Sequence, residues 1–162
     1  MEWTTWRRTA VVVVIAGCAH PRAPRPLPDG VVADCYLEPC QATGDLDGDQ
    51  RLDTVELVAR GGQRGLAVRW GGDRPTLLLG AGTATAVVEL GDEETAAASL
   101  AGAHPATLEA DLGFLQAWRL RDRLPASLPP GRGPAIELSG GDAAWVVYLG
   151  AGGDLYYAPL GF

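Results

Sequence analysis

The chain has no lysine: its 13 basic residues are all arginines, set against 20 acidic ones for a formal charge of −7. A surface of that sign repels a polyanion instead of steering it, which excludes nucleic acid as a partner. Histidine is nearly as scarce. His20 lies in a proline-rich stretch and His104 precedes Pro105, so neither stands beside a nucleophile as a general base. Ser99, Ser127 and Ser139 occupy no nucleophile-elbow context, and the glycine pairs at 61–62, 71–72, 140–141 and 152–153 mark turns, not a phosphate-binding motif. No segment recurs at a period of about 40 to 60 residues, which argues against a propeller. The one strongly apolar run near the start, 10–16, is too short for a permanent membrane span.

What the chain does have is glycine and proline, 22 and 12 residues, in a sequence of 162 that is 47% hydrophobic and 20% charged. This is the composition of one globular domain with appendages. From Leu52 onward short apolar runs alternate with Gly-rich turns, which is the pattern of strands. The runs at 52–59, 66–70, 76–79, 85–90, 114–121 and 135–138 read as strands, and 144–149 with 155–158 as a hairpin around the 150–154 turn. In the 144–149 run Trp145, Val147 and Leu149 face one way and Val146 and Tyr148 the other; both faces are apolar, so this strand belongs in the middle of a sheet. Residues 92–101 read as one short helix, with Asp92 as N-cap, an acidic first turn and Gly102 near the stop. The expected fold is mainly β, with α+β admissible: an antiparallel sheet of about six to eight short strands with one short helix. The four-proline stretch 124–134 is a surface excursion. Trp70, Trp118, Trp145, Tyr148, Tyr156 and Tyr157 could line a sugar-stacking face, but core packing is the stronger reading.

The chemically specific stretch is Gly44-Asp45-Leu46-Asp47-Gly48-Asp49-Gln50-Arg51-Leu52-Asp53. Carboxylates at relative positions 1, 3, 5 and 9, with a backbone carbonyl from position 7, can wrap oxygen around a hard cation. Without a counter-ion, side chains of one sign this close repel one another. Asp45, Asp47, Asp49 and Asp53 are therefore the candidate ligands, with the Arg51 carbonyl between them and Ca²⁺ as the ion. An EF-hand loop would carry Gly at position 6, where φ is positive; Gln50 stands there at a cost of roughly 1 kcal/mol. Position 12 is Glu56, inside a strand, where its side chain is poorly placed to reach the ion. A solvated acidic turn that merely starts a strand is the competing reading.

The stretch resembles the calcium loops of the FG-GAP and VCBS families, in which a D-x-D-G-D-x-x-x-D segment leads into a strand. A closer likeness is to small bacterial secreted proteins and lipoproteins built on one such loop. It extends from Gly44 to Phe162 through Gly65-Leu66-Ala67-Val68-Arg69-Trp70 and Gly141-Asp142-Ala143-Ala144-Trp145-Val146-Val147-Tyr148, and it implies a fold and a compartment more than a function.

Residues 1–17 have the parts of an export signal: Arg7 and Arg8, the apolar run, and a small-residue site. The end, Ile15-Ala16-Gly17-Cys18, resembles the lipobox of bacterial lipoproteins, which implies that Cys18 is acylated and becomes the mature N-terminus. An ordinary secretory peptide with an incidental cysteine is the alternative. Cleavage removes Glu2, Arg7 and Arg8 and takes the charge from −7 to −8. Ala19 follows the cysteine in place of the Asp that would favour inner-membrane retention, so the resemblance implies an outer-membrane anchor facing the periplasm, with surface display open. Acyl chains contribute ~0.8 kcal/mol per buried methylene, and several hold where one does not. Residues 18–33 then form the lipidated start and a Pro-rich tether; in extended polyproline form its dozen or so residues reach roughly 35 to 40 Å. Residues 34–162 are the β-rich domain. Cys35 and Cys40, the remaining thiols, are expected to pair in an oxidising compartment; a zinc site would need two further ligands that the sequence does not bring near.

These features point to a non-enzymatic envelope lipoprotein, a calcium-stabilised binding or structural module contacting the bilayer through acylated Cys18 and a protein or glycan partner through its body. The alternatives are an inhibitor that inserts the 124–134 excursion into a target hydrolase, and a metal-assisted hydrolase using acidic residues beside the ion. Radiolabelled palmitate is expected to enter the wild-type chain in a bacterial host and to be lost in Cys18→Ala. Equal labelling of the two would remove the lipid anchor.

Overall fold

The computed structural model describes residues 25–91 and 94–160. Cys18, the export signal, the first half of the tether and Asp92 lie outside the described residues. Strands β1 (Val32–Ala33), β2 (Gln41–Gly44), β3 (Asp53–Arg60), β4 (Gln63–Arg69) and β5 (Leu77–Gly80) form one sheet. Strands β6 (Thr85–Glu89), β7 (His104–Leu108), β8 (Ala117–Arg121), β9 (Ala135–Gly140), β10 (Ala143–Leu149) and β11 (Leu155–Leu160) form the other, with helix α1 (Ala96–Ala101) between β6 and β7. The protein is thus mainly β: the described residues form eleven strands in two sheets and one short helix, and neither a closed barrel nor a propeller. More strands appear than the six to eight expected because β1 and β2 are only two and four residues long, and because β7 contains Pro105. Pro105 is tolerated because β7 is an edge strand, paired only with β6.

In the first sheet β3 is the spine. Its register with β4 runs from Thr54↔Arg69 to Arg60↔Gln63, and its other edge is shared by β1 (Val32↔Ala59) and β2 (Gln41↔Glu56 to Gly44↔Asp53). In the second sheet the order is β7-β6-β11-β10-β9-β8, and all pairs but one are antiparallel. The exception is β11 beside β6, parallel at Tyr156↔Val88 and Tyr157↔Glu89. The last strand of the chain returns to fill the space between β6 and β10, a long-range event that local patterning does not encode.

The two sheets share one core. Val55, Leu57, Leu66, Val68 and Leu79 from the first meet Val87, Leu108, Trp118, Ile136, Leu138, Val147 and Leu149 from the second. The outer face of β10 is covered as well: Val146 and Tyr148 pack with Leu90, Leu128, Ala135 and Ala158. Its two apolar faces therefore follow from its central place, as the alternation in 144–149 implies. The 124–134 excursion is the lid on that outer face, held by the Tyr148 hydroxyl donating to the Pro129 carbonyl (3.0 Å) and the Ser99 hydroxyl donating to the Ser127 carbonyl (3.0 Å). Helix α1 is capped by Thr95, whose side chain accepts from the Ala98 N–H at 3.2 Å; it starts at Ala96, later than an N-cap at 92 implies, and its first turn carries no acid. Gly102 ends it, as expected.

The last part of the expected tether packs on the domain. Val31 is buried with Val58, Ala67 and Leu78, Leu27 lies against them, and Val32 and Ala33 pair with β3. Apolar side chains at 27 and 31 override the extended preference of the prolines around them. Cys35 and Cys40 lie at disulfide distance, Cα atoms 4.8 Å apart, in the connection from β1 to β2. Both flanks of that connection bond to Leu57 on β3, at 3.0 Å each, so the cross-link closes a segment already laid against the spine.

Arg119 and Arg121 on β8 both reach Glu137 on β9, at 2.8 Å. Burial pushes the Glu137 carboxyl up, but the hydrogen bonds and charges of the two arginines outweigh it and hold it below its usual value. A lowered folded pKa gives stability that is present above the unfolded pKa and is lost as pH falls through the folded one. Glu137→Gln is accordingly expected to flatten the loss of stability below about pH 4.5 in urea melts. Parallel pH slopes for the two proteins would contradict the pairing.

Candidate metal centre

The loop between β2 and β3 is built by side chains folding back on their own backbone. Asp45 Oδ2 accepts from the Gln50 N–H (2.9 Å), Asp47 Oδ1 from the Asp49 N–H (3.2 Å) and Asp49 Oδ1 from the Arg51 N–H (2.8 Å). Such bonds are how aspartates fix tight turns. They curl the segment so that one carboxylate oxygen each of Asp45, Asp47 and Asp49 lies within 4.8 Å of the others. Two positive φ angles allow the curl: Gly48 at 74° and Gln50 at 67°. Position 6 does need the left-handed conformation, and Gln50 adopts it at a cost of roughly 1 kcal/mol.

Of the five residues expected to ligate, three converge. Asp47 is nine-tenths buried, Asp45 half-buried and Asp49 exposed. Arg51 contributes its N–H to Asp49 as above. Asp53 stands apart, and this is the main departure from the sequence reading. It is fully buried (0% exposed), with Oδ2 accepting from the Leu46 N–H at 2.7 Å and Oδ1 from the Gly71 N–H at 2.8 Å. Burial raises its carboxyl above the usual range, the two backbone hydrogen bonds pull it down, and the neighbouring charges of Asp47 and Asp49 add to the rise. Asp53 is a clamp between the loop, β3 and the turn after β4. Glu56 is diverted too: Arg69 Nε lies 2.6 Å from its Oε1, away from the loop.

Two features of the loop's surroundings were not legible in the sequence. Arg74 extends from the turn before β5, its Nε 3.3 Å from Asp47 Oδ2 and its guanidinium 5.3 Å over the Trp70 ring. Gly133, just before β9, lies so close to the Asp45 carbonyl that a Cβ there would overlap it, and a Cβ on Gly48 would meet the Arg132 carbonyl at 2.8 Å. The loop is thus pressed against the end of the excursion, with Leu46 (5% exposed) driven into the core.

The test of the loop as a cation site is what its oxygens lack. Asp45 Oδ1 is buried and accepts no hydrogen bond, a costly state for a carboxylate oxygen that a bound cation would relieve. The geometry therefore suits a small oxygen-coordinated ion held by three carboxylates. The thiol-containing cluster Cys35, Glu38 and Cys40 has its sulfurs paired with each other and offers no thiolate. No protein-family model matches this chain, and no curated protein or solved structure matches it.

Asp53→Asn keeps one acceptor oxygen but turns an NH₂ toward a second N–H donor. It is expected to destabilise the protein by about 1–3 kcal/mol in chemical denaturation, despite removing a buried charge. Unchanged stability would show that the clamp carries no weight.

Proposed function

We propose that the chain is a non-enzymatic envelope lipoprotein whose β domain is a binding or structural module stabilised by one Ca²⁺ at the 45–49 loop. Asp45, Asp47 and Asp49 hold the ion with the Arg51 carbonyl, and Asp53 fixes the loop from behind. The observation that carries this reading is that Asp45, one of three clustered carboxylates, has a buried Oδ1 with no hydrogen bond. Since the unfolded chain lacks the cluster, the ion's binding energy adds to folding energy. The lipid anchor at Cys18, and with it attachment to the outer membrane facing the periplasm, rests on Ile15-Ala16-Gly17-Cys18. The pinned excursion leaves little free chain to insert into a target cleft, which favours a module over an inhibitor.

A second reading has its own observation. The Arg74–Asp47 ion pair supplies a counter-ion from the protein itself, and the loop could close without metal. The two part company in a melting experiment. With calcium a hundredfold above its Kd, the gain is about 2.7 kcal/mol, on the order of 5–10 °C in Tm for a domain this size. Chelator is expected to abolish the gain, Asp45→Asn and Asp47→Ala to remove it, and Arg74→Ala to leave it in place. Identical curves with calcium and with chelator, together with a large loss in Arg74→Ala, would establish the arginine as the loop's only partner.

A further inference from the structure

The core-facing side of the second sheet is only half-buried at two aromatic positions. Trp145 on β10 and Tyr157 on β11 lie on that side, diagonal across a pair whose register runs Val147↔Tyr157. Their rings are near-parallel, 17° apart in plane with centroids 6.5 Å apart, and Phe114 stands edge-on to Trp145 at 5.9 Å and 84°. Glu89 is beside Tyr157 in the parallel β6–β11 register. Together with Glu109 and Leu112 these residues line a groove of about 560 Å³. Among the described residues none that lines it is basic; His104, paired in register with Glu89, lies outside the lining. The Tyr157 hydroxyl feels the result: burial first, then the charges of Glu89 and Glu109, push it up to about 12.

An aromatic wall with carboxylates at its margin is selective. The π faces present negative charge to a ligand, and so do the glutamates, so an anion is repelled and a neutral sugar gains only stacking. A hydrated metal ion would gain nothing from the apolar wall. The volume falls within the range of small-molecule sites.

We propose that this groove binds a small organic cation, an ammonium group carried on an alkyl or aryl body, with the charge between Glu89 and Glu109 and the body against Trp145, Tyr157 and Phe114. It deepens the binding-module reading by giving the module a ligand class, and it is independent of the calcium loop.

The test is titration calorimetry on the whole chain with 2-phenylethylammonium and tetramethylammonium. 2-Phenylethanol serves as the neutral counterpart, and a neutral oligosaccharide and an arginine-rich peptide stand for the other occupants. The ammonium probes are expected to bind, the alcohol at least about tenfold more weakly, and Glu89→Gln with Glu109→Gln to weaken the ammonium probes by about tenfold each. Those isosteric changes are checked for folding by the unaltered melting curve. Binding of the alcohol equal to that of the ammonium, ammonium binding that survives the double substitution, preference for the oligosaccharide or peptide, or no ammonium binding would each overturn the proposal. Running the titrations in calcium and in chelator separates the sites: loss of any calcium effect on Tm sinks the loop reading and leaves the groove standing.

Discussion

One buried carboxylate, accepting two backbone N–H groups from different parts of the chain, fixes the geometry on which the rest of this fold depends. Through Leu46 N–H, Asp53 holds the acidic loop; through Gly71 N–H it holds the turn leaving β4. The side chain of Leu46 is thereby committed to the core between the sheets, where it meets Trp70, Val68 and residues of the second sheet. An ionised group with no exposed surface is costly unless its lone pairs are occupied. Here both carboxylate oxygens are occupied by backbone N–H donors, so the start of β3, the loop and the turn after β4 are positioned by a single residue.

Much of this was legible, and the parts that were not have a common cause. Alternation in Trp145-Val146-Val147-Tyr148-Leu149 gave a central strand with two dry faces, because a period of two and burial on both sides leave a direct mark on sequence. The spacing of Asp45, Asp47 and Asp49 gave a convergent cluster, because turn-forming aspartates act over two to five residues. Asp53 looked like a fourth ligand on the same arithmetic. What removed it from the cluster is a hydrogen bond to Gly71, eighteen positions away, and spacing within a loop carries no record of such partners. Arg74 and Gly133 escaped for the same reason: each meets the loop only through the tertiary fold. Pro105 concealed β7, since a proline argues against a strand until the strand is known to be an edge.

The tether shows how weak local preference is against a small apolar surface. Prolines at 26 and 28 favour extended chain, yet Leu27 and Val31 find Val58, Ala67 and Leu78 on the outer face of the first sheet. Burying two aliphatic side chains is worth on the order of 3 kcal/mol, enough to dock a short segment. Residues 27–33 thus belong to the packed domain and not to a free spacer.

The two acidic regions differ in what surrounds the charge, and that difference separates the kinds of cation proposed for each. In the loop, carboxylate oxygens stand within 4.8 Å of one another, tied down by N–H groups, with Arg74 reaching in from one side. A compact divalent ion is matched by oxygens so dense, and a bulky ammonium would find no room among them. Around the groove, Glu89 and Glu109 border aromatic rings instead. There the apolar surface rewards a ligand that brings its own carbon skeleton, and a hard ion would have to shed water for too few oxygens. An arginine-only basic complement adds to the separation. Among the described residues, Arg74, Arg69, Arg119 and Arg121 are paired with Asp47, Glu56 and Glu137, and no basic side chain is among the described residues that line the aromatic groove.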